Sequence, residues 1–311
     1  MTRDAPVPGS RVVLRYRLPD GSTPPFTDVI GILAASGTAV TVQPESGDPV
    51  TVPAERIVAL KALAPRPVRN SEIRGLESAA AYAWPGLEQE WIGGWLLRAG
   101  AGVTRRGNSA SPLRPDASAV DLPAVAAWYR DRDLQPSLSL PDRLLRAPAG
   151  WSLSAEALVL TLPIPSSTGP DTDTDTDTDT ERIAAPDDRW LAHHPRYRHR
   201  PDLLTAVHDG VVTFLRRGDT AVARAAVTAS PTGRRWVGIT AVATRPDERR
   251  RGHGSAVCAE AMRWGADHGA THAYVQVEVD NDEARSLYER LGFTEHHRYR
   301  YASPEGVTAP G

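Results

Sequence analysis

The chain has 311 residues, of which 41% are hydrophobic and 24% are charged, a balance typical of soluble globular proteins. Its 36 Lys and Arg residues against 38 Asp and Glu residues give a net charge of −2, which argues against nucleic acid and acidic membranes as partners. No apolar run approaches the ~20 residues of a membrane span, and the N-terminal residues lack the apolar core of a signal peptide. The single cysteine, Cys258, excludes an internal disulfide, and these features together predict a cytoplasmic protein.

The first 66 residues predict a small all-β domain. Turn residues separate short runs of alternating apolar and polar residues, at 11–17, 27–33, 39–43, 50–52 and 56–60. We expect an SH3-like barrel over residues 1–66, with the boundary at Pro65-Arg66-Pro67. None of its residues has the pattern of a catalytic group, so this domain either recruits a partner or covers the segment that follows.

Residues 71–164 predict a mixed α/β segment that opens with a helix from Ser71 to about Tyr82. Further strands are expected at 91–98, 103–108, 137–140 and 157–164, and further helical stretches at 122–132 and 142–146. The second half of the chain follows the same order, and Gly150-Trp151 corresponds to Gly292-Phe293. An internal duplication with one degenerate half explains both the order and the length.

An Asp-Thr repeat marks the junction between the two halves, and we predict a disordered linker over residues 165–182. The period of two imitates a strand, but neither alternating face is apolar, so there is nothing to bury. The acidic side chains also repel one another. A functional acidic tract is the alternative interpretation.

Residues 183–305 predict a second α/β segment. Helices are expected at 187–194, 201–208, 254–268 and 281–291, and strands at 211–217, 221–229, 236–244, 273–279 and 298–301.

The strongest single motif is the sequence from Arg249 to Ala256, which follows a strand and opens a helix. Gly252 and Gly254 allow a ligand to approach the backbone closely. Successive N–H groups at the start of a helix form an anion site that suits a pyrophosphate, and the neighbouring arginines add positive charge. The turn is neither a Walker loop nor a dinucleotide fingerprint, because the Lys of the first and the third glycine of the second are missing. A solvated turn is the alternative.

A second motif runs from Asp280 to Phe293. Asp280 or Asn281 caps the predicted helix, and acidic residues fill its first turn. Asn281 and Tyr288 are seven residues apart and therefore share one helix face. Taken alone, Tyr288 is better explained as a core tyrosine with a satisfied hydroxyl.

Together, R-x-x-G-x-G from Arg249 and N-x-x-A-x-x-x-Y-x-x-x-G-F from Asn281 resemble the coenzyme A site of the GNAT acetyltransferase superfamily. Residues 71–164 resemble a degenerate GNAT half of the tandem GNAT enzymes, without the phosphate turn. With the barrel in front, the whole chain resembles an actinobacterial group described as histone-acetyltransferase-like. The resemblance implies an α/β GNAT fold, with an intact C-terminal half at 183–305.

The resemblance also implies acetyl-CoA as a co-substrate and no metal. In this superfamily two adjacent strands separate, here 236–244 and 273–279, and the pantetheine arm lies between them. The implied cofactor-binding residues are Val242, Ala243 and Thr244 along the pantetheine arm, Arg249, Arg250, Arg251, Gly252, His253, Gly254 and Ser255 around the pyrophosphate, Asn281, which would bond the pantetheine arm, and Ala284.

The same resemblance makes Tyr288 the group that protonates the departing thiolate, although the usual pKa values of about 10 and about 8.5 make that transfer slightly uphill. The attacking amine also needs a base. Residues 237–244 contain no carboxylate, which departs from relatives that keep a glutamate there. Glu278 on the next strand is the candidate, with a surface acid as the alternative, and we assign His253 to the start of its helix.

One further set of residues has two interpretations. A polar and aromatic run either shapes an acceptor pocket or forms a structural hairpin, and it comprises Trp95, Arg98, Arg105, Arg106, Asn108 and Ser109.

The function predicted from the sequence is an acetyl-CoA-dependent N-acetyltransferase whose acceptor is a primary amine, attacked directly in a ternary complex. The acceptor is an amine-bearing small molecule or the lysine or N-terminus of a protein. A non-catalytic sensor or partner-binding module that binds CoA is the alternative. A nucleic-acid adaptor is disfavoured by a pI near 6.5, and the sequence does not determine the oligomeric state.

Overall fold

The computed structural model describes residues 6–44, 47–64, 66–164 and 179–305. It divides the chain into two compact units, Met1–Pro67 and Val68–Gly311. Residues 165–178, which form most of the predicted linker, lie outside the described residues. No helix in the described ranges is long and apolar enough to cross a membrane.

The first unit is a five-stranded antiparallel sheet in the order β4-β3-β2-β1-β5. Its strands are β1 (Arg11–Arg17), β2 (Phe26–Ser36), β3 (Ala39–Pro44), β4 (Val50–Pro53) and β5 (Ile57–Ala62). Because alternate residues of a strand face opposite sides of a sheet, Val12, Leu14, Leu33 and Val42 all reach one fully buried core. The predicted small all-β domain is therefore confirmed.

The second unit contains the remaining elements. Its strands are β6 (Glu88–Ile92), β7 (Trp95–Ala99), β8 (Ser111–Pro112), β9 (Leu138–Pro141), β10 (Trp151–Pro163), β11 (Thr180–Ile183), β12 (Val211–Arg217), β13 (Ala221–Ala229), β14 (Arg235–Thr244), β15 (His272–Glu278) and β16 (Thr294–Pro304). Its helices are α1 (Asn70–Ala83), α2 (Leu122–Arg130), α3 (Asp188–Ala192), α4 (Asp202–Thr205), α5 (His253–Asp267) and α6 (Asp282–Arg290).

One eight-stranded sheet, in the order β11-β12-β13-β14-β15-β10-β16-β9, contains strands from both halves of this unit. The strand β10 comes from the first half and lies between β15 and β16 of the second, antiparallel to both. On each side of the β10–β16 pair, the neighbouring strands follow in the same order. An antiparallel neighbour comes first, β15 or β9. A parallel contact follows, from β15 to β14 on one side and, on the other, as a single bridge from Leu138 of β9 to Ala110, the residue before β8.

The helix α5 covers one face of this sheet and positions the site described below. It packs against β13 and β14, and its buried face includes Val257, Cys258 and Ala261. Helix and sheet approach closely at Gly265, where a Cβ atom would lie 2.6 Å from the Cβ of Val237. Any side chain at Gly265 would therefore push the helix away from the sheet.

Four local predictions from the sequence are wrong. The strand predicted at 91–98 is a hairpin of β6 and β7, which turns at Gly93 with φ +55°. The strand predicted at 103–108 is a loop, and the helical stretch predicted at 142–146 is a turn containing Arg143 at φ +67°. Residues 180–182, predicted as linker, belong to β11, which pairs with β12.

The two short helices of the second half are shorter than predicted. The structure has α3 and α4 where helices were expected at 187–194 and 201–208. The helix α3 begins after Asp187, whose carboxylate accepts a hydrogen bond from the Trp190 N–H at 2.9 Å. After α4 the chain is extended at Ala206, which lies at the C-terminal end of that helix.

Candidate active site

An opening between β14 and β15 lies at the centre of the site. The two strands pair in parallel only from Trp236 to Gly238, and beyond that point no ladder joins them in the described structure. Ala241 has φ +50°, and the register with β13 shifts around it, so β14 bulges where the two strands separate. The Ala241 carbonyl accepts a hydrogen bond from His194 Nε2 at 2.9 Å, which fixes the bulge in place.

A cleft of about 570 Å³ follows this opening. Eleven of the twelve predicted cofactor residues line it, namely Val242, Ala243, Thr244, Arg249, Arg250, Gly252, His253, Gly254, Ser255, Asn281 and Ala284. We call this space the cofactor cleft, and Tyr288 also lines it. Arg251 is the exception, because its guanidinium points to Glu248 at 2.8 Å and is 63% exposed.

The glycine turn at one end of the cofactor cleft has the geometry of an anion site. Arg250 and Gly252 both have left-handed backbones, at φ +62° and +87°. Ala256 donates the first hydrogen bond of α5, to the Gly252 carbonyl at 3.0 Å. The N–H groups of the three residues before it have no acceptor among the described residues, and no side chain caps the helix. These free donors at the positive end of a helix suit a phosphate group.

Charged side chains surround this turn. Arg249 pairs with Glu283 of α6 at 3.0 Å, which links the two walls of the cleft. His253 Nδ1 accepts a hydrogen bond from Arg217 Nε at 3.1 Å, and its Nε2 faces a Glu248 carboxylate oxygen at 3.5 Å. Because both ring nitrogens already have neighbours, His253 serves to fix the first turn of α5.

Two residues of α6 contribute polar groups to the cofactor cleft. Asn281 Oδ1 accepts the Ala284 N–H at 3.1 Å, so the side-chain oxygen caps the helix and the NH₂ group stays available to a ligand. The Tyr288 ring is 6% exposed and packs edge-on against Phe293, 5.8 Å away. Burial raises the pKa of Tyr288 well above its usual range, so its hydroxyl is protonated at neutral pH and can donate a hydrogen bond.

A second cleft, of about 450 Å³, lies beyond the bulge, and we call it the acceptor-side cleft. The adjacent residues Ala241 and Val242 line different clefts, so the two clefts flank the bulge of β14. Glu278 lines the acceptor-side cleft rather than the cofactor cleft. Its carboxylate is 2.6 Å from Arg105 Nη2, and its side chain is half exposed.

The sequence analysis missed most residues of the acceptor-side cleft. Besides Arg105, Arg106 and Glu278, its lining includes Trp84, His194, Arg196, Tyr197, Ala241, Gln276, Tyr299 and Tyr301. These residues come from distant parts of the chain, and only the shared sheet brings them together. Burial lowers the pKa of His194, so its ring is neutral at pH 7.

The predicted polar run is divided between a strand and a loop, since Trp95 and Arg98 lie in β7 and the other members lie in the loop between β7 and β8. Arg105 and Arg106 line the acceptor-side cleft. The others are buried in packing, where Trp95 donates to the Ser118 carbonyl and Asn108 accepts the Gly100 N–H.

Known proteins provide an independent comparison with this geometry. Residues 70–302 match a family model described as "Probable histone acetyltransferase Rv0428c C-terminal", and residues 6–61 match "Rv0428c N-terminal Sm-like domain". The chain is 43% identical over 302 residues to "Probable histone acetyltransferase Rv0428c" of Mycobacterium tuberculosis, covering 96% of each chain. The chain belongs to the Rv0428c family. Its N-terminal unit accordingly matches an Sm-like domain rather than the more specific SH3-like barrel of the prediction.

More distant relatives agree on the fold. The chain is 26% identical over 251 residues to "Uncharacterized N-acetyltransferase YobR" of Bacillus subtilis, covering 73% of this chain and 97% of that one. A "GCN5-related N-acetyltransferase from Kribbella flavida" superposes with a TM-score of 0.50 at 17% identity, covering 76% of this chain and 96% of that one. The predicted GNAT relationship is confirmed, and the protein is an N-acetyltransferase of the GNAT type.

Proposed function

We propose that the protein transfers the acetyl group of acetyl-CoA to a primary amine, by direct attack within a ternary complex. The observation that carries the proposal is that two clefts flank the bulge of β14. A phosphate-binding turn and Tyr288 lie on one side of Ala241, and polar and aromatic residues lie on the other. Such an arrangement lets an acyl donor and an amine approach the same point from opposite sides.

The residues present suit coenzyme A. The free N–H groups of the glycine turn and the exposed guanidinium of Arg250 would hold the pyrophosphate. The Asn281 NH₂ group and the β14 backbone from Val242 to Thr244 would bond the pantetheine amides. Acetyl-CoA supplies the activated acyl group as a thioester.

The chemistry exchanges one bond for another. The amine nitrogen attacks the thioester carbonyl carbon, the C–N bond forms and the C–S bond breaks. Negative charge develops on the carbonyl oxygen during attack, and N–H groups near Val242 would stabilise it. Tyr288 would donate a proton to the departing thiolate and recover one from solvent.

A base must take the proton that the attacking ammonium loses, because a lysine-like amine has a pKa near 10.4. Glu278 remains our candidate for this role, acting directly or through water, since it is the one carboxylate lining the acceptor-side cleft in the described structure. Arg105 Nη2 lies 2.6 Å from this carboxylate, and the contact holds Glu278 at the wall of the cleft.

We also propose that residues 71–164 derive from a duplicated and degenerate GNAT half. The repeated succession of strands on either side of the β10–β16 pair supports this origin. The loop before α2 has no counterpart of the glycine turn from Arg249 to Ser255. On this proposal the first half kept its strands and lost its phosphate site.

The glycine turn provides the test. No atom lies within 4 Å of a Cβ built at Gly252, so the methyl group of Gly252→Ala would project into free space at the phosphate site. We expect acetyl-CoA affinity, measured by calorimetric titration, to fall about tenfold or more, because the methyl group and the strained backbone disturb the N–H donors. Gly233→Ala is the matched control, since Gly233 has φ +83° and equally open surroundings but lies outside both clefts.

Two results would contradict the proposal. One is a wild-type protein that binds no acetyl-CoA, and the other is equal loss of affinity in the Gly252 and Gly233 variants. Release of free coenzyme A thiol with a panel of amines then separates an enzyme from a module that only binds CoA. Absence of thiol release with every amine would favour the binding module.

A further inference from the structure

The acceptor-side cleft carries more positive charge than its own carboxylate balances. Three arginines line it, Arg105, Arg106 and Arg196, and the described structure gives it one carboxylate, Glu278. Arg105 and Glu278 form an ion pair at 2.6 Å and offset each other. Two guanidinium charges therefore remain.

Arg106 contacts the Trp84 ring but has no carboxylate and no hydrogen-bond acceptor as a partner within the described part of the chain. It forms no ion pair and no hydrogen bond there, and its Nε atom is enclosed by protein without an acceptor. The guanidinium carbon lies 5.9 Å from the Trp84 ring centre, and the tyrosines Tyr197, Tyr299 and Tyr301 surround it. Burial raises the pKa of Tyr197 and of Tyr301, so neither offers a negative charge at neutral pH. A half-buried cation without a counter-charge is unfavourable unless a ligand supplies one.

Two neighbouring arginines show which hydrogen-bond acceptors bind a guanidinium group that is buried in the core. Arg224 donates to three backbone carbonyls at 2.6 to 2.9 Å. Arg98 donates to two backbone carbonyls and two serine hydroxyls at 3.1 to 3.4 Å. Both contact Trp84, as Arg106 does, yet Arg106 alone of the three has no acceptor. This contrast assigns Arg106 to a ligand rather than to the core.

A hydrogen-bond acceptor without a donor lies nearby on β15. The amide oxygen of Gln276 is enclosed in the protein and has no donor among the described residues, and Gln276 lines the same cleft as Arg106. Glu278 follows two residues later on the same strand face. The cleft thus offers unpaired donors at Arg106 and unpaired or negatively charged acceptors at Gln276 and Glu278.

We propose that the acceptor is a primary amine that also carries a carboxylate, and that Arg106 binds this carboxylate. The inference rests on the proposed function and specifies its substrate class. A guanidinium matches a carboxylate in a two-point hydrogen-bonded pair, while Gln276 and Glu278 attract the amine end. A lysine-rich peptide would instead bring further positive charge towards Arg106 and Arg196, so the cleft disfavours a basic protein tail.

The experiment compares free amino acids with the corresponding amino-acid carboxamides as acceptors, by following coenzyme A thiol release. We expect kcat/KM to favour the acids by about tenfold or more, and Arg106→Met to lower kcat/KM for the acids by about 10- to 100-fold more than for the carboxamides. Arg189→Met is the control, because Arg189 is an exposed arginine outside both clefts. Phosphoethanolamine and a lysine-rich peptide serve as phosphate-bearing and basic probes.

A structural role for Arg106 is tested separately. Since no other described group depends on it, Arg106→Met should leave the thermal midpoint unchanged or raise it. A fall of several degrees would mean that the side chain serves packing, which overturns the proposal.

The remaining outcomes are distinguishable. Equal use of acids and carboxamides, or preference for the lysine-rich peptide, overturns the substrate class while the acetyltransfer stands. Preference for phosphoethanolamine overturns the carboxylate assignment in favour of a phosphate. Failure of the wild-type protein to bind acetyl-CoA in a calorimetric titration overturns the proposed function itself.

Discussion

The ring of Tyr288 is buried, and its hydroxyl has no hydrogen-bond partner among the described residues. The side chain lines the cofactor cleft. Because burial raises its pKa, the hydroxyl keeps its proton through the range in which amines lose theirs. We expect Tyr288→Phe to lower kcat by about 100-fold while acetyl-CoA affinity stays within about twofold. Stopped assays of thiol release, paired with calorimetric titration, provide both quantities.

The raised pKa of Tyr288 also determines how the rate depends on pH. A raised tyrosine pKa moves the loss of the acid to higher pH, so the wild-type rate should rise as the amine deprotonates and show no fall between about pH 8 and pH 10. A fall in that interval that Tyr288→Phe abolishes would contradict a buried, protonated acid. Tyr129→Phe, which removes a buried hydroxyl outside both clefts, is the control.

The residues of the two clefts differ in how far the sequence predicts them. The glycine turn and the helix from Asn281 are contiguous motifs, because a backbone anion site needs neighbouring N–H groups and a helix face needs a fixed spacing. Trp84, Tyr197 and Tyr299 have no such spacing, since each reaches the acceptor-side cleft from a separate element. Only strand order in the folded sheet brings them together, and one sequence does not specify that order.

At the scale of elements, Arg224 of β13 joins the ends of two helices. Its Nη2 donates to the Ala83 carbonyl at the end of α1 and to the Ala206 carbonyl after α4, each at 2.9 Å. Its Nε donates to the Leu204 carbonyl at 2.6 Å. The side chain is fully buried, which lowers its pKa to about 10, so it is still charged at neutral pH. A charge at these carbonyls opposes the negative ends of both helices.

Removing this contact should destabilise the fold. We expect Arg224→Met to lower the free energy of unfolding by about 3 kcal/mol, because three buried carbonyls lose their donor. Urea denaturation followed by circular dichroism measures the change. Arg189→Met, an exposed replacement of the same kind, should change it by less than about 0.5 kcal/mol, and equal effects of the two variants would contradict the role of Arg224.

The strand that the sequence wrongly predicts at 103–108 is replaced by a loop because a side chain binds the local backbone. Asn108 accepts from the Gly100 and Gly102 N–H groups and donates to the Thr104 carbonyl. These bonds occupy groups that a strand at 103–108 would need for pairing, so the segment folds as a loop. In contrast, β11 has little intrinsic strand pattern and forms because β12 offers a free edge, with Arg182 also paired to Glu260.

At the scale of the whole molecule, the strand β10 makes the two halves of the second unit interdependent. It pairs with β15 from Ala157 to Pro163 on one edge and with β16 between Trp151 and Thr161 on the other. Leu158 and Leu160 of this strand lie in the same core as Tyr288 and the buried face of α5. The first half therefore completes the cofactor-binding half, whatever ligand its own residues contact.

This arrangement predicts that a substitution in the first half destabilises the second. Leu160 is 5% exposed, so Leu160→Ala leaves a cavity beneath α5 and should lower the free energy of unfolding by about 2 to 5 kcal/mol. Leu153→Ala in the same strand is the matched control, because Leu153 is 48% exposed and should cost less than about 0.5 kcal/mol. In a urea titration of Leu160→Ala, the loss of the acetyl-CoA protection against unfolding and the loss of the circular dichroism signal should both move to lower urea concentrations, since one sheet carries both halves. Two separate transitions, with the acetyl-CoA protection unmoved by Leu160→Ala, would show that the halves fold independently and that the shared strand does not couple them.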